Sequence, residues 1–139
     1  MENKEMTNEE KFKSLLSTIH QNLLKSRGFK KDGQNFRLIV ENNSLFTGYI
    51  INFQKSAYND RSELRFAVNI GKINSNNIIN EKFKEYDCLP IKNRERLAVI
   101  ATRYGFDKWW SITSNTDITE IRNEMIDLIN NIAFPWFGI

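Results

Sequence analysis

Three consecutive segments alternate apolar and polar residues with a period of two, and this alternation constrains the fold more than any other feature of the sequence. The segments span residues 36–40, 45–53 and 64–70. Successive side chains of a β-strand point to opposite faces, so each segment predicts a strand with one apolar and one polar face. Turn-forming residues separate the segments at 41–44 and 59–61. We therefore expect an antiparallel meander that helices cover on one face only.

Amphipathic helices flank the meander on both sides. Thr7 and Glu10 form a capping box at the start of the first helix, and Thr116 or Asp117 caps the last helix, which Pro135 ends. Their apolar stripes are Phe12, Leu15, Leu16, Ile19 and Leu23, and Ile118, Ile121, Met125, Leu128, Ile129 and Ile132. The predicted fold class is α+β: an antiparallel sheet of four to five strands with the N- and C-terminal amphipathic helices packed on one face.

The chain between the third strand and the last helix allows more than one interpretation. Residues 74–92 permit a short helix or a loop, and residues 96–102 suit a strand or a helical turn. Residues 108–113 favour a further short strand. Gly48 lies on the polar side of the second strand, where a glycine indicates a bulge or a close contact.

The composition is that of one folded domain. Of the 139 residues, 40% are hydrophobic and 27% are charged, whereas disordered chains combine low hydrophobicity with high net charge. No linker or repeat divides the sequence, so we expect residues 1–139 to form a single domain in which residues 1–6 are flexible. The net charge of +3, from 20 basic and 17 acidic residues, is too small to predict a polyanion partner.

The sequence carries no pattern typical of a catalytic or metal site. It lacks a glycine-rich phosphate loop, a serine nucleophile elbow and a His-Glu-x-x-His motif. We interpret Cys88, the only cysteine, as a small buried residue, and His20, the only histidine, as a residue at the margin of a helix's apolar face. Glu120, Glu124 and Asp127 predict a solvated helix face. We expect no enzyme activity, no catalytic or metal-binding residue and no cofactor.

Nothing in the sequence directs the chain to a membrane or out of the cell. The N-terminal residues lead into an amphipathic segment, and no apolar run approaches the length of about 18 residues that a membrane helix requires. A single cysteine fits a reducing compartment. We expect a cytoplasmic protein without a membrane partner, either monomeric or a weak homodimer.

Polar residues at the end of the central strand form the first part of a candidate binding site. Gln54, Lys55 and Ser56 end this strand, and Asn69 lies on the strand that follows. Gln54 and Asn69 occupy the phase opposite the core, where uncharged amides contribute little to folding. Lys55 falls on the core-facing phase, so it must lie beyond the sheet edge or reach out with its stem buried. In the alternative interpretation, Gln54 and Ser56 hydrogen-bond the neighbouring loop and fix the hairpin.

Two arginines and a tryptophan pair complete the candidate binding site. Arg65 lies on the polar face of the third strand, and Arg96 belongs to a basic cluster before the ambiguous segment. Trp109 and Trp110 are adjacent, so on a strand their rings point to opposite faces. One ring is expected to fill the core, and the outward ring is the better candidate for binding.

Six phrases of the sequence carry a family resemblance. They are Arg27-Gly28-Phe29-Lys30-Lys31, Ile51-Asn52-Phe53-Gln54-Lys55-Ser56, Val68-Asn69-Ile70-Gly71, Arg96-Leu97, Trp109-Trp110 and Phe134-Pro135-Trp136. In this order they resemble domain-of-unknown-function family 4304 over nearly the whole chain, with residues 74–92 departing from it. The resemblance implies a compact bacterial-type α+β domain and no established activity, cofactor or catalytic residue.

The sequence favours a binding function over a chemical one. A small domain without catalytic residues acts through a surface, and the polar sheet face offers adaptable hydrogen bonding to another protein. We interpret the chain as a non-enzymatic protein-binding module of the immunity or adaptor type. The alternative is a small-molecule or nucleic-acid binding domain. Basic clusters at residues 25–31 and 92–96 favour nucleic acid only weakly, since a helix C-terminus explains the first.

Overall fold

The structure is a computed structural model that describes residues 5–139. We predicted that residues 1–6 are flexible, and residues 1–4 of this segment lie outside the described part. Within it, a six-stranded antiparallel sheet carries the long helices on one face, so the predicted α+β class is confirmed. No helix among residues 5–139 has the length and apolar character needed to cross a membrane.

The described residues form six strands and four α-helices. The strands are β1 Lys30–Asp32, β2 Asn35–Asn42, β3 Leu45–Lys55, β4 Leu64–Ser75, β5 Arg94–Arg96 and β6 Trp110–Ile112. The α-helices are α1 Asn8–Ile19, α2 Leu97–Ala101, α3 Ile118–Leu128 and α4 Phe134–Phe137. A π-turn at His20–Leu24 and a 3-10 turn at Lys25–Arg27 continue α1, and a π-turn at Ile129–Ala133 joins α3 to α4.

The sheet is a meander in which two short strands share the edge beside β4. Its order is β1-β2-β3-β4-β5, and β6 also pairs with β4. β5 lies opposite residues 69–71 of β4, and β6 lies opposite residues 64–66, so the two short strands stand end to end along one edge. The sequence did not predict β1, because its three residues are all exposed and carry no alternation.

The ends of the helices follow their capping residues, with one exception. The capping box at α1 is confirmed, because the Glu10 N–H donates to Thr7 Oγ1 at 3.1 Å and the Thr7 N–H donates to Glu10 Oε1 at 3.0 Å. Asp117, rather than Thr116, caps α3. Pro135 does not end the last helix. It lies in the first turn of α4, which continues directly from the π-helical segment Ile129–Ala133.

The main core lies between the helices and the inner face of the sheet. Phe12 of α1 packs on Phe66 of β4, with 5.3 Å between ring centroids. Leu128 of α3 and Val68 belong to the same buried cluster. The predicted packing of both helices on one face is therefore correct.

The opposite face, which we call the outer face, is not simply polar. A covering loop formed by residues 76–93 packs Ile79, Phe83 and Cys88 against Ile50 on that face. This segment contains only short 3-10 turns, at Glu85–Asp87 and Ile91–Asn93. The loop interpretation of residues 74–92 is therefore correct, except that β4 runs on to Ser75.

Two glycines allow the covering loop to approach the sheet. A Cβ atom on Gly71 would lie 2.8 Å from Cys88 Sγ, and one on Gly48 would lie 2.9 Å from Ile73 Cγ2 and 3.0 Å from the Phe83 ring. All three distances are shorter than van der Waals contact. The close contact predicted at Gly48 is thus confirmed.

A buried arginine anchors the covering loop. Arg37 lies on the outer face of β2 and is only 5% exposed. Its Nε donates to the Phe83 carbonyl oxygen at 2.7 Å, and its Nη1 donates to Asp32 Oδ2 at 3.0 Å. Hydrogen bonds from Arg37 and Lys82 hold the pKa of Asp32 below its usual value. The guanidinium therefore joins β1, β2 and the covering loop.

The segment after β5 is helical rather than extended. α2 buries Leu97, Ala98 and Ala101 against the core, a spacing that places all three side chains on one side of a helix. The strand interpretation of residues 96–102 is therefore wrong beyond Arg96. Alternation over so few residues could not separate the two structures.

Replacing Phe66 by alanine tests the main core. Phe66 is fully buried between Phe12 and Trp110. We expect Phe66→Ala to lower the free energy of unfolding by about 3 to 5 kcal/mol, because the lost ring leaves a cavity. Urea denaturation measures this change, and the exposed neighbour Arg65→Ala should stay within about 0.5 kcal/mol. Equal effects of the two variants would contradict the position of the core.

Replacing Gly71 by alanine tests the seat of the covering loop. The added methyl group would collide with Cys88, so we expect a loss of about 1 to 3 kcal/mol in the free energy of unfolding. Removing the sulfur with Cys88→Ala should recover part of that loss, giving a coupling of at least about 0.5 kcal/mol in a double-mutant cycle. Strict additivity of the two substitutions would show that the loop is not seated on Gly71.

Candidate functional site

A row of polar side chains crosses the outer face where the covering loop leaves it open. The strand register places Asn35 opposite Asn52, and Asn52 opposite Asn69. It then places Asn69 opposite Arg96. Directly opposite residues on one face of a sheet lie within about 5.5 Å of each other. The four residues therefore form a continuous line across β2, β3, β4 and β5, which we call the amide row.

Hydrogen bonds link the amide row and tie Gln54 to it. Asn52 Nδ2 donates to Asn35 Oδ1 at 2.8 Å, and Asn69 Nδ2 donates to Asn52 Oδ1 at 3.0 Å. Gln54 Oε1 accepts from Asn69 Nδ2 at 3.0 Å and from Arg96 Nη1 at 3.2 Å. Within the described residues, Asn69 Oδ1 and Gln54 Nε2 have no partner. This acceptor and this donor are thus free to meet a ligand at the Arg96 end of the row, while, within the same residues, Asn35 Nδ2 is free at the other end.

Arg96 connects the amide row to the edge of the sheet. Its Nε lies 3.4 Å from Asp107 Oδ1, and its guanidinium lies 5.1 Å from the ring centroid of Trp109. A cation placed over an indole face is attracted by the electron-rich ring. The contact holds the Arg96 side chain, which remains about one-quarter exposed, between Gln54 and Trp109.

The two adjacent tryptophans lie in different environments. Trp110 is buried in the main core, where its ring stacks on Phe66 with 5.8 Å between centroids. Trp109 is half-buried beside Arg96. As the alternation predicted, one ring fills the core and its neighbour lies outside, and the structure identifies which is which.

Lys55 and Ser56 lie away from the amide row. Lys55 Nζ pairs with Glu9 Oε1 at 3.3 Å and lies above the Phe12 ring, on the helical side of the sheet. Ser56 Oγ accepts the Tyr58 N–H at 3.2 Å and so fixes the turn after β3. The structure thus separates Lys55, Ser56 and Trp110 from the other five candidate residues.

Arg65 lies on the same open part of the outer face. It is exposed, stands opposite Ser111 of β6, and its guanidinium has no partner among residues 5–139. We call the surface formed by Gln54, Arg65, Asn69, Arg96 and Trp109 the open face. All five of its residues belong to the set predicted from the sequence.

Asn35 and Asp107 contribute to this surface but are absent from the predicted set. The sequence did contain a signal for the first. Asn35 and Asn52 are equally distant from the Asn43-Ser44 turn, so a two-residue hairpin predicts that they face each other. Asp107 follows an irregular segment, and no periodicity marks its position.

A cluster of titratable groups supports the loop that carries Asp107 and Trp109. The Tyr104 hydroxyl donates to Glu124 Oε1, and Lys108 Nζ lies 3.5 Å from the same oxygen. Burial and the hydrogen bond to Glu124 raise the pKa of Tyr104. Partial burial alone would raise the pKa of Glu124, but the Tyr104 hydrogen bond and the Lys108 charge lower it. The prediction of a solvated face is correct for Glu120, which is exposed, whereas Glu124 is half-buried beneath these two residues.

The nucleophilic and metal-binding residue types occupy structural positions. His20 Nε2 donates to the Phe29 carbonyl oxygen at 2.9 Å, and its ring packs on Phe36. Cys88 is fully buried, and burial, with Asp87 and Glu85 adding to it, raises the pKa of its thiol to about 12. Within the described part of the chain, no three His, Cys, Asp or Glu side chains come together as metal ligands.

Stability measurements separate a binding role from a scaffold role in the amide row. Gln54 is exposed, so Gln54→Ala should change the free energy of unfolding by no more than about 0.5 kcal/mol. Asn69→Ala removes two hydrogen bonds at a half-buried position and should cost about 1 kcal/mol. Losses of about 2 kcal/mol or more for both variants in urea denaturation would assign these residues to the scaffold.

Comparison with known proteins places the chain in a family. A family model described as a domain of unknown function, DUF4304, matches residues 20–139. No curated protein and no solved structure matches the chain. The matched region contains all six strands and every residue of the open face. The chain therefore belongs to the DUF4304 family of domains of unknown function.

Proposed function

We propose that the domain is a non-enzymatic protein-binding module, of the immunity or adaptor type, that binds another protein through the open face. The single observation that carries this proposal is the pair of free polar atoms, Gln54 Nε2 and Asn69 Oδ1, held in place by the amide row. A donor and an acceptor side by side match the groups of a peptide bond or a side-chain amide. The row fixes their positions before a partner arrives, which lowers the entropy cost of binding.

The residue types around these atoms fit a protein partner. Arg and Trp are enriched at the energetic centres of protein interfaces, where they combine a large contact area with hydrogen bonding. Arg65 lies on the same face of β4 as Asn69, Trp109 lies against Arg96, and Tyr58, which is 94% exposed, lies in the loop after β3. We propose that the domain meets its partner in the cytoplasm as a monomer or a weak homodimer.

The positions of the reactive residue types support a binding role rather than catalysis. A nucleophile or general base must reach a substrate, and its pKa must suit the reaction. Cys88 is fully buried with a raised pKa, and Tyr104 donates its hydroxyl to Glu124. Neither group lies on the open face.

Single-stranded nucleic acid is the second candidate ligand. Arg94 and Arg96 lie on the outer face of β5, since they stand opposite Gly71 and Asn69, and the Trp109 ring packs against Arg96. Basic side chains combined with an exposed aromatic ring suit the backbone and bases of a single strand. Phosphate-driven binding weakens steeply as salt rises, so retention on heparin at low salt, lost at high salt, favours this candidate.

A pull-down with matched variants tests the first proposal. We expect a protein to co-purify with the wild type and with Lys13→Glu, which reverses an exposed charge on α1, on the helical side of the domain. Its recovery should fall at least about tenfold with the double variant Gln54→Ala/Arg65→Glu, because a hot spot is worth about 2 kcal/mol or more. Thermal melts confirm that each variant is folded.

Two outcomes would count against a protein partner on the open face. Equal recovery by the double variant and Lys13→Glu would place the contact elsewhere on the domain. Loss of the co-purifying protein after nuclease treatment of the lysate would favour the nucleic-acid candidate.

A further inference from the structure

The outer edge of β2 is only half covered. β1 pairs with residues 35–37 of β2, and no strand among residues 5–139 pairs with residues 38–42 on that side. The far edge of β4 shows the complete arrangement, because β5 and β6 stand end to end along it. On β2 the corresponding second place is empty.

The uncovered edge presents free backbone hydrogen-bonding groups. The Phe53 N–H donates to the Gln34 carbonyl oxygen at 2.9 Å, so Gln34 directs its carbonyl toward β3. In an antiparallel ladder, successive residues direct their N–H and C=O groups to alternate sides. Ile39 and Glu41 therefore direct theirs away from β3, and no backbone group of the described chain pairs with them. An exposed row of this kind is a template for an added strand.

A cavity lies beside this edge. Its volume is about 390 Å³, and its lining includes Ile39, Ile78 and Ile79 together with Lys30, Lys31 and Lys82. Ile78 is 83% exposed, which is a large exposure for an isoleucine. Ile39 lies on the outer face of β2. A strand added beside β2 would direct every second side chain to that face, so one of them would lie over the isoleucines of the cavity.

The charges around the cavity favour an acidic occupant. Four basic side chains and two acidic ones line it, and one of the acidic groups, Asp32, is already bound by Arg37 and Lys82. Lys30 and Lys31 are exposed and have no ion-pair partner among residues 5–139. Acidic side chains would therefore find unpaired lysines at the rim.

A second copy of the chain fits this edge poorly. Antiparallel pairing that uses all the free groups would set Ile39 opposite Glu41 of the copy, and Arg37 opposite Asn43 of the copy. Lys30 of β1 already occupies the position beside Arg37. The turn of the copy would therefore collide with β1, whereas the end of an unrelated segment can bend away.

We propose that an extended, acidic and apolar segment of a partner protein adds to the edge of β2 at residues 38–42, end to end with β1. An apolar side chain of that segment lies over Ile39 and Ile78, and acidic side chains at its end beside β1 meet Lys30 on the outer face and Lys31 on the inner face. The site is separate from the open face, so it goes beyond the function proposed above. It also explains why the isoleucine at position 78 is left exposed.

Synthetic peptides test the proposal directly. The probe is a fluorescein-labelled peptide of eight alternating glutamate and valine residues, blocked at both ends, and the control replaces each glutamate by lysine. We expect saturable binding of the first peptide in fluorescence anisotropy, at least about tenfold tighter than that of the second. Charge reversal by Lys30→Glu and Lys31→Glu should remove this preference. Equal affinity of the two peptides for the wild type would overturn the proposal.

A proline and alanine pair at one position tests the backbone contact. Glu41→Pro removes an outward N–H, which an edge strand tolerates, whereas Glu41→Ala keeps it. We expect the proline variant to bind the acidic peptide about tenfold more weakly than the alanine variant, since one backbone hydrogen bond and the fit around it are lost. Hydrogen exchange should show protection of the Ile39 and Glu41 amides in the complex. Equal binding by the two variants would overturn strand addition.

Two further measurements separate this site from its alternatives. The double variant Gln54→Ala/Arg65→Glu should bind the peptide as the wild type does, because the open face takes no part. Loss of peptide binding in that variant would overturn the location at β2. Analytical ultracentrifugation of the wild type without peptide should show no dimer that forms through the β2 edge. If a dimer appears and Glu41→Pro abolishes it, the occupant of the edge is a second copy of the chain.

Discussion

The contact between the covering loop and the two glycines of the outer face determines what the rest of the domain can present. Gly48 and Gly71 leave room for Phe83 and Cys88, and Arg37 fixes the loop by bonding the Phe83 carbonyl oxygen. A four-residue apolar cluster can then form on a face that the helices do not reach. Because this cluster covers one end of the face, the other end, with the amide row, is left to solvent. Burial at one end and exposure at the other thus have the same cause.

The amide row is a compromise between rigidity and availability. Each side-chain carbonyl oxygen of Asn35, Asn52 and Gln54 accepts a hydrogen bond from the next amide or from Arg96. Among the described residues, unused groups lie at both ends of the network: Asn35 Nδ2 at one end, and Asn69 Oδ1 and Gln54 Nε2 at the other. Half-buried side-chain amides that hydrogen-bond one another hold each other in one conformation. Moving one of them out of the row would break the hydrogen bonds of its neighbours. The side chains of the amide row thus connect the buried sheet to the free polar atoms of Asn69 and Gln54 on its outer face.

Most of the fold could be predicted from the sequence, because most of it depends on local periodicity and capping. The alternation of residues 64–70 fixed the inner face of β4, and Thr7 and Glu10 fixed the start of α1. The failures have two physical origins: segments too short to show a period, such as β1 and α2, and contacts between segments distant in the chain. Arg37 reads as an exposed arginine until residues 76–93 are seen to cover it.

The candidate site was partly predictable for the same reason. Gln54, Arg65 and Asn69 follow from strand phase alone, because a period of two assigns the face of the sheet. Placing Arg96 next to Asn69 requires the register between β4 and β5, which depends on a long irregular connection. Lys55 shows the limit of phase arguments. Its side chain lies on the core-facing side of β3, as the alternation predicts, and pairs with Glu9 of α1. The sequence of the strand contains no signal for that partner.

The end-to-end arrangement of β5 and β6 has a consequence for how relatives of this domain diverge. Each short strand pairs with its own stretch of β4, so the chain between them leaves the sheet and returns to it without contributing to the register. Insertions or deletions in residues 102–108, which follow the core helix α2, would therefore leave both pairings intact. This excursion carries Asp107 and Trp109 to the border of the amide row. The scaffold thus permits evolution to exchange the residues beside Arg96 while the sheet stays constant.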